Sequence, residues 1–127
     1  MSRILVVDDD ATIRESIRIA LTSGGFDVVA VEGGEHALEL FPRMACDGAI
    51  VDLLMPGMDG LETIRALRAL SPGLPIVIMS GALAHADVAA PDFLRMACRL
   101  HGVARLAKPF TLAELLRTVR DSVAVAA

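Results

Sequence analysis

Gly48-Ala49-Ile50-Val51-Asp52-Leu53-Leu54-Met55-Pro56-Gly57-Met58-Asp59-Gly60 is the stretch that decides the reading of this chain. Its opening residues form a short apolar β run without polar alternation, as suits a parallel strand covered on both faces. The run ends on a carboxylate, Asp52, and passes at once into a turn rich in Gly and Pro. Similar runs lie on either side: Ile4 to Val7, Val28 to Val31, Ile76 to Met79 and the weaker Ala104 to Ala107. Between and after them, helical periodicity covers Thr12 to Ser23, Glu35 to Phe41, Leu61 to Leu70, Phe93 to Leu100 and Leu112 to Val123. Five βα units follow, in which the helices supply the crossovers between parallel strands. The expected architecture is a doubly wound α/β sandwich.

Punctuation supports the same division. Gly24-Gly25 closes the first helix, Gly33-Gly34 separates the second strand from its helix, Ser71-Pro72-Gly73 closes the third helix, and Gly102 follows the fourth. Asp10 is placed to cap the first helix, and Thr111 with Glu114 forms a capping box that opens the last one. Fraying is expected from Val123 to Ala127.

Composition narrows the function classes. The 127 residues are 54% hydrophobic and 22% charged, which suits one folded domain over 1–127 and excludes a disordered chain. Twelve Lys and Arg against sixteen Asp and Glu leave a net charge of -4, without the basic footprint that direct nucleic-acid binding requires. No apolar run reaches the roughly 18 residues of a membrane span, and Asp8-Asp9-Asp10 interrupts the apolar start as a signal-peptide core. Cys46 and Cys98 read as small buried hydrophobes in a reducing, cytoplasmic setting. His36, His85 and His101 have no ligand spacing, and core filling accounts for most of the methionines.

In an open parallel sheet the ligand site lies beyond the carboxyl ends of the strands. Those ends carry Asp8-Asp9-Asp10, Asp52, Ser80 and Lys108, the only lysine in the chain. Carboxylates gathered at one edge repel each other, and a hard divalent cation with oxygen ligands relieves that repulsion. Mg²⁺ fits the donor set better than zinc, which would call for Cys or His. A phosphoryl group arriving there would meet the cation, the Lys108 ammonium and the Ser80 hydroxyl, with an Asp as nucleophile.

Leu5-Val6-Val7-Asp8-Asp9-Asp10, Val51 to Gly60, Ile78-Met79-Ser80-Gly81 and Lys108-Pro109-Phe110 together resemble a response-regulator receiver domain over essentially the whole chain. The resemblance implies a flavodoxin-like (βα)5 fold with a five-stranded parallel sheet in the order 2-1-3-4-5. It implies that Asp52 accepts a phosphoryl group from a histidine kinase or histidine phosphotransfer protein. Asp8 and Asp9 would be the Mg²⁺-binding acid pair, with Asp52 and the Leu54 carbonyl as further metal ligands. Ser80 and Lys108 would meet the phosphoryl group, and Lys108-Pro109 would be a cis peptide bond. Such a receiver catalyses only its own phosphoryl transfer and slow dephosphorylation. It signals to an unidentified downstream protein, through the fourth helical stretch, the last strand and the last helix.

Two features depart from the family. Arg105 stands where an aromatic residue is usual, three positions before the lysine, and is expected to act by changing its polar contacts instead of flipping inward. Lys108 comes 28 positions after Ser80. That is longer than the family habit by about six residues, with the excess in Ala82 to Ala90.

Two other readings compete. Asp8-Asp9-Asp10-Ala11-Thr12 also resembles the D-x-D-x-T motif of haloacid-dehalogenase-type phosphatases, with Asp8 as nucleophile and Asp10 as acid/base. Against it, only Glu114 and Asp121 are acidic after Lys108, both in the last helical stretch, so the later acidic metal motif is missing. The other is a receiver-like binding module that is never phosphorylated. Glycine-rich nucleotide-binding motifs are absent.

Overall fold

The computed structural model describes residues 2–53, 60–80 and 103–126, with the backbone alone for Ser80, Val125 and Ala126. The turn 54–59 with Leu54 and Asp59, the loop 82–90, the helical stretch 93–100, Cys98, His85 and His101 lie outside the described residues.

The described strands are β1 (Arg3–Val7), β2 (Asp27–Val31), β3 (Gly48–Asp52), β4 (Ile76–Ser80) and β5 (Val103–Ala107). They form one parallel sheet in the order β2-β1-β3-β4-β5. The described helices are α1 (Ala11–Ser23), α2 (Gly34–Leu40), α3 (Gly60–Leu70) and α4 (Leu112–Ala126). Alternate residues of each strand face opposite sides of the sheet. Leu5, Val7, Ala49, Val51, Ile76 and Ile78 join Ala37, Phe41, Leu61, Ile64 and Leu67 in one core. Ile4, Val6, Ile50, Val77 and Met79 join Ile17, Leu21, Leu115 and Val119 in the other. Burial on two faces is why the central strands are apolar throughout. β3 is buried at every position, whereas the edge strand β2 is half-buried along most of its length.

The caps fall where the side chains demand them. Asp10 accepts from the backbone N–H groups of Thr12 (2.9 Å) and Ile13 (3.2 Å), satisfying two of the donors left over at the start of α1. Thr111 Oγ1 accepts from the Glu114 N–H at 3.1 Å and donates to the Glu114 carboxylate at 3.1 Å. Gly24 ends α1, and Gly25 turns the chain with φ 94, a conformation glycine adopts without steric cost.

Three expectations need correcting. α2 begins one residue earlier than its periodicity suggests and ends at Leu40, with Phe41 as its cap. α4 does not stop near Val123 but runs to Ala126. No Gly or Pro interrupts that segment, and Val123 packs against the core, so the last turn has both propensity and burial behind it. Cys46 is half-buried and packs beside a core instead of within it. Among the described residues, no helix is long and apolar enough to cross a membrane.

Candidate functional site

Strand order places the site. The chain leaves β1 for β2 on one side of the sheet and returns for β3 on the other, so a crevice opens beyond the carboxyl ends of β1 and β3. Asp8 follows β1, and Asp52 is the last residue of β3. Both are nearly inaccessible, at 0% and 5% exposure, while Asp9 is exposed. Carboxylate oxygens of Asp8, Asp9 and Asp52 all lie within 4.8 Å of one another. Asp10, the third acid of the run, turns away to cap α1.

Lys108 follows β5 and reaches across to the acids. Its Nζ stands 3.1 Å from Asp8 Oδ2 and 3.3 Å from Asp52 Oδ2. Burial works against the ammonium charge, but the charge of Asp52, the hydrogen bond to Asp8 and their companion interactions outweigh it. The Lys108 pKa is therefore raised above its ordinary value. The Lys108–Pro109 peptide bond is cis. Ser80 ends β4 in register with Ala107 of β5, which brings its backbone to the same edge of the sheet.

Asp8 is held from every side. Its N–H donates to the Val31 carbonyl at 3.2 Å. Its Oδ1 accepts from the Asp10 N–H at 2.8 Å, and its backbone carbonyl accepts from Arg14 Nη1 at 2.8 Å. Asp52 is supported by a close approach of backbones: a Cβ on Gly60 would intrude on the Asp52 carbonyl oxygen and the Leu53 Cα. Gly60 N–H also donates to the Leu53 carbonyl at 3.1 Å, tying the start of α3 to the end of β3. Only a residue without a side chain fits there.

The structure thus brings Asp8, Asp9, Asp52 and Lys108 together and sets Ser80 at the same edge. It also adds two residues that sequence reasoning missed, Arg14 and Gly60. Gly60 stood in plain view at the end of the Asp52 turn. Arg14 could have been suspected from its position, since the first turn of a helix that follows β1 overhangs the end of that strand. Arg105 lies exposed in β5 opposite Ile78.

Three clustered carboxylates are a donor set for a hard divalent cation, and such a cation together with the Lys108 ammonium would neutralise and orient a phosphoryl group. A pocket of about 400 Å³ lies beside the lysine, walled by Ile13, Ile17, Ala20, Phe110 and Leu115. Comparison with known proteins identifies the family. The family model described as "Response regulator receiver domain" matches residues 4–120. The response regulator MprA of Mycobacterium sp. (strain KMS) is 38% identical over 124 residues, covering 93% of this chain and 49% of that protein. MprA of Mycobacterium leprae matches equally, at 38% over 124 residues. The chain spans about half the length of the curated relatives it matches. Among solved structures, the Vibrio cholerae chemotaxis protein CheY4 superposes with TM-score 0.84 at 27% identity, covering 96% of this chain and 98% of that one. A response regulator receiver protein from Sinorhizobium medicae gives TM-score 0.78 at 31% identity, covering 99% and 97%. The chain belongs to the response regulator receiver domain family of two-component signal transduction systems.

Proposed function

We propose that Asp52 accepts a phosphoryl group from a phosphohistidine on a histidine kinase or histidine phosphotransfer protein, and that the chain relays this state to a downstream protein. One observation carries the proposal: the Asp52 carboxylate stands 3.3 Å from an ammonium and within 4.8 Å of two more carboxylates, at the end of the central strand. In the transfer, an Asp52 oxygen forms the bond to phosphorus as the N–P bond of the donor breaks. The electron pair of that bond stays on the imidazole nitrogen. The remaining groups position and neutralise.

The donor set of Asp8, Asp9 and Asp52 fits Mg²⁺, and the family resemblance adds the Leu54 carbonyl as a further ligand. When bound, Mg²⁺ supplies neutralising charge to the phosphoryl oxygens. Lys108 contributes a second positive charge that can pass from the acids to the phosphoryl group. The Ser80 hydroxyl donates to it from the end of β4. The chain works as one receiver domain over 1–127 in the cytoplasm, catalysing its own phosphoryl transfer and slow dephosphorylation and acting on no separate substrate.

The hydrolase reading is less well supported. Asp10, which that reading needs as acid/base, instead caps α1 and accepts from the Thr12 and Ile13 N–H groups. Amide NMR of wild type and Asp52→Asn with Mg²⁺ and beryllium fluoride or a small phosphodonor tests the proposal. On addition of beryllium fluoride or the phosphodonor to the Mg²⁺-loaded proteins, further saturable shifts around residue 52, Ser80 and Lys108 are expected in the wild type alone. Equal responses in both proteins, or covalent phosphate found on Asp8, would refute it. No response in either would leave a binding module that is never phosphorylated.

A further inference from the structure

We infer that Arg14 is a positioning residue for the acid cluster, holding the turn after β1 so that Asp8 and Asp9 can share a divalent cation with Asp52. The inference rests on the Mg²⁺ reading above and extends it to a residue that touches neither the ion nor the phosphoryl group.

β1 ends at Val7, so the carbonyl of Asp8 lies one residue past the strand. Arg14 Nη1 donates to that carbonyl at 2.8 Å. The backbone of the same residue is tied to the same turn, because Arg14 N–H donates to the Asp10 carbonyl at 3.0 Å. Arg14 is therefore fixed to the turn on both sides of Asp9, through its side chain to Asp8 and through its main chain to Asp10. Asp9 is the exposed member of the cluster, and the direction of its carboxylate follows from the backbone between those two anchors. A charge-assisted hydrogen bond to a carbonyl in a partly buried setting is among the stronger single contacts available to hold such a turn. Groups that support metal ligands from behind commonly change affinity when removed, although they never meet the ion.

A competing role for the guanidinium is electrostatic: a fixed cation near the site would repel Mg²⁺, and its loss would tighten binding. The two roles predict opposite signs. Arg18, on the same helix, is exposed and paired with Glu15, which makes it a control for the general charge of α1.

The test is a Mg²⁺ titration followed by amide NMR on wild type, Arg14→Ala, Arg14→Lys and Arg18→Ala, with urea unfolding of each in EDTA. Arg14→Ala is expected to raise the Mg²⁺ Kd about 10-fold, the lower end of the usual effect of such supporting groups. Arg14→Lys, which keeps the charge and can make one hydrogen bond, is expected to fall between it and wild type. It also keeps the test open should the alanine variant fold poorly. Arg18→Ala should bind as wild type does. A Kd for Arg14→Ala that is unchanged or lower overturns the inference, as does an equal loss in Arg18→Ala. A wild type that takes up no Mg²⁺ would refute the metal reading itself, a result distinct from a wild type and an Arg14→Ala that bind alike.

Discussion

Replacing Lys108 by Ala removes the ammonium that bridges the two buried acids, and the geometry sets the size of the effect. At an effective dielectric of about 20, the contacts of 3.1 and 3.3 Å are each worth about 5 kcal/mol of gross attraction. The net loss is much smaller. Lys108 keeps 21% of its side chain exposed, so part of its hydration is never given up, and water can enter the space it leaves. Breaking a fully buried pair costs about 3–5 kcal/mol, and an exposed pair is worth about 0–1 kcal/mol. The intermediate position of Lys108 gives a loss of about 2 kcal/mol. The variant should therefore fold, with a lower urea midpoint in EDTA. Mg²⁺ should restore part of the loss, since ligand at ten times its Kd stabilises by about 1.4 kcal/mol. The pH dependence has a definite sign. The folded pKa of Lys108 is raised above 10.5, so its contribution is whole at neutral pH and is lost only as the pH climbs through and beyond that value. Urea unfolding in EDTA at pH 7 is the assay. A difference below about 0.5 kcal/mol would refute the view that this ammonium balances the acid pair, because it would place the contact among exposed surface pairs.

Asp52→Asn removes one of the three clustered carboxylates. It should fold, accept no phosphoryl group and show a smaller Mg²⁺-induced rise in Tm than wild type; an equal rise would count against Asp52 as a ligand. Gly60→Ala should lose about 1–3 kcal/mol in urea unfolding, because the new Cβ presses on backbone at Asp52 and Leu53 rather than on a side chain that can move. Wild-type stability for that variant would contradict the close approach of α3 to β3. Burial pushes the Cys46 thiol up to about 11, against 9.0 for an ordinary thiol. Its alkylation at pH 8, followed by peptide mass spectrometry, should be about 100-fold slower than that of an open thiol; a rate matching free cysteine would refute the burial.

Much of this protein could be read from its residues in order. Runs such as Ile4 to Val7 and Ile76 to Met79 are apolar at every position because both faces of a parallel sheet are covered, and that need is written locally. Asp10, Thr111 and Gly25 mark their turns for the same reason: caps and turns answer to groups only a few residues away. Motif order also placed Asp8, Asp9, Asp52 and Lys108 at strand ends. Sequence could not tell which of Asp8, Asp9 and Asp52 are buried and which is exposed. It also missed that Arg14 holds the Asp8 carbonyl and that Gly60 must lack a Cβ. Those facts depend on the packing of α1 and α3 over the ends of β1 and β3. The Lys108 contacts to Asp8 and Asp52 join residues 100 and 56 positions apart, and only the assembled sheet brings them within 3.3 Å. Periodicity and capping are local energies that a sequence displays directly. The charge balance of the site arises from distances that exist only once five strands have paired in register.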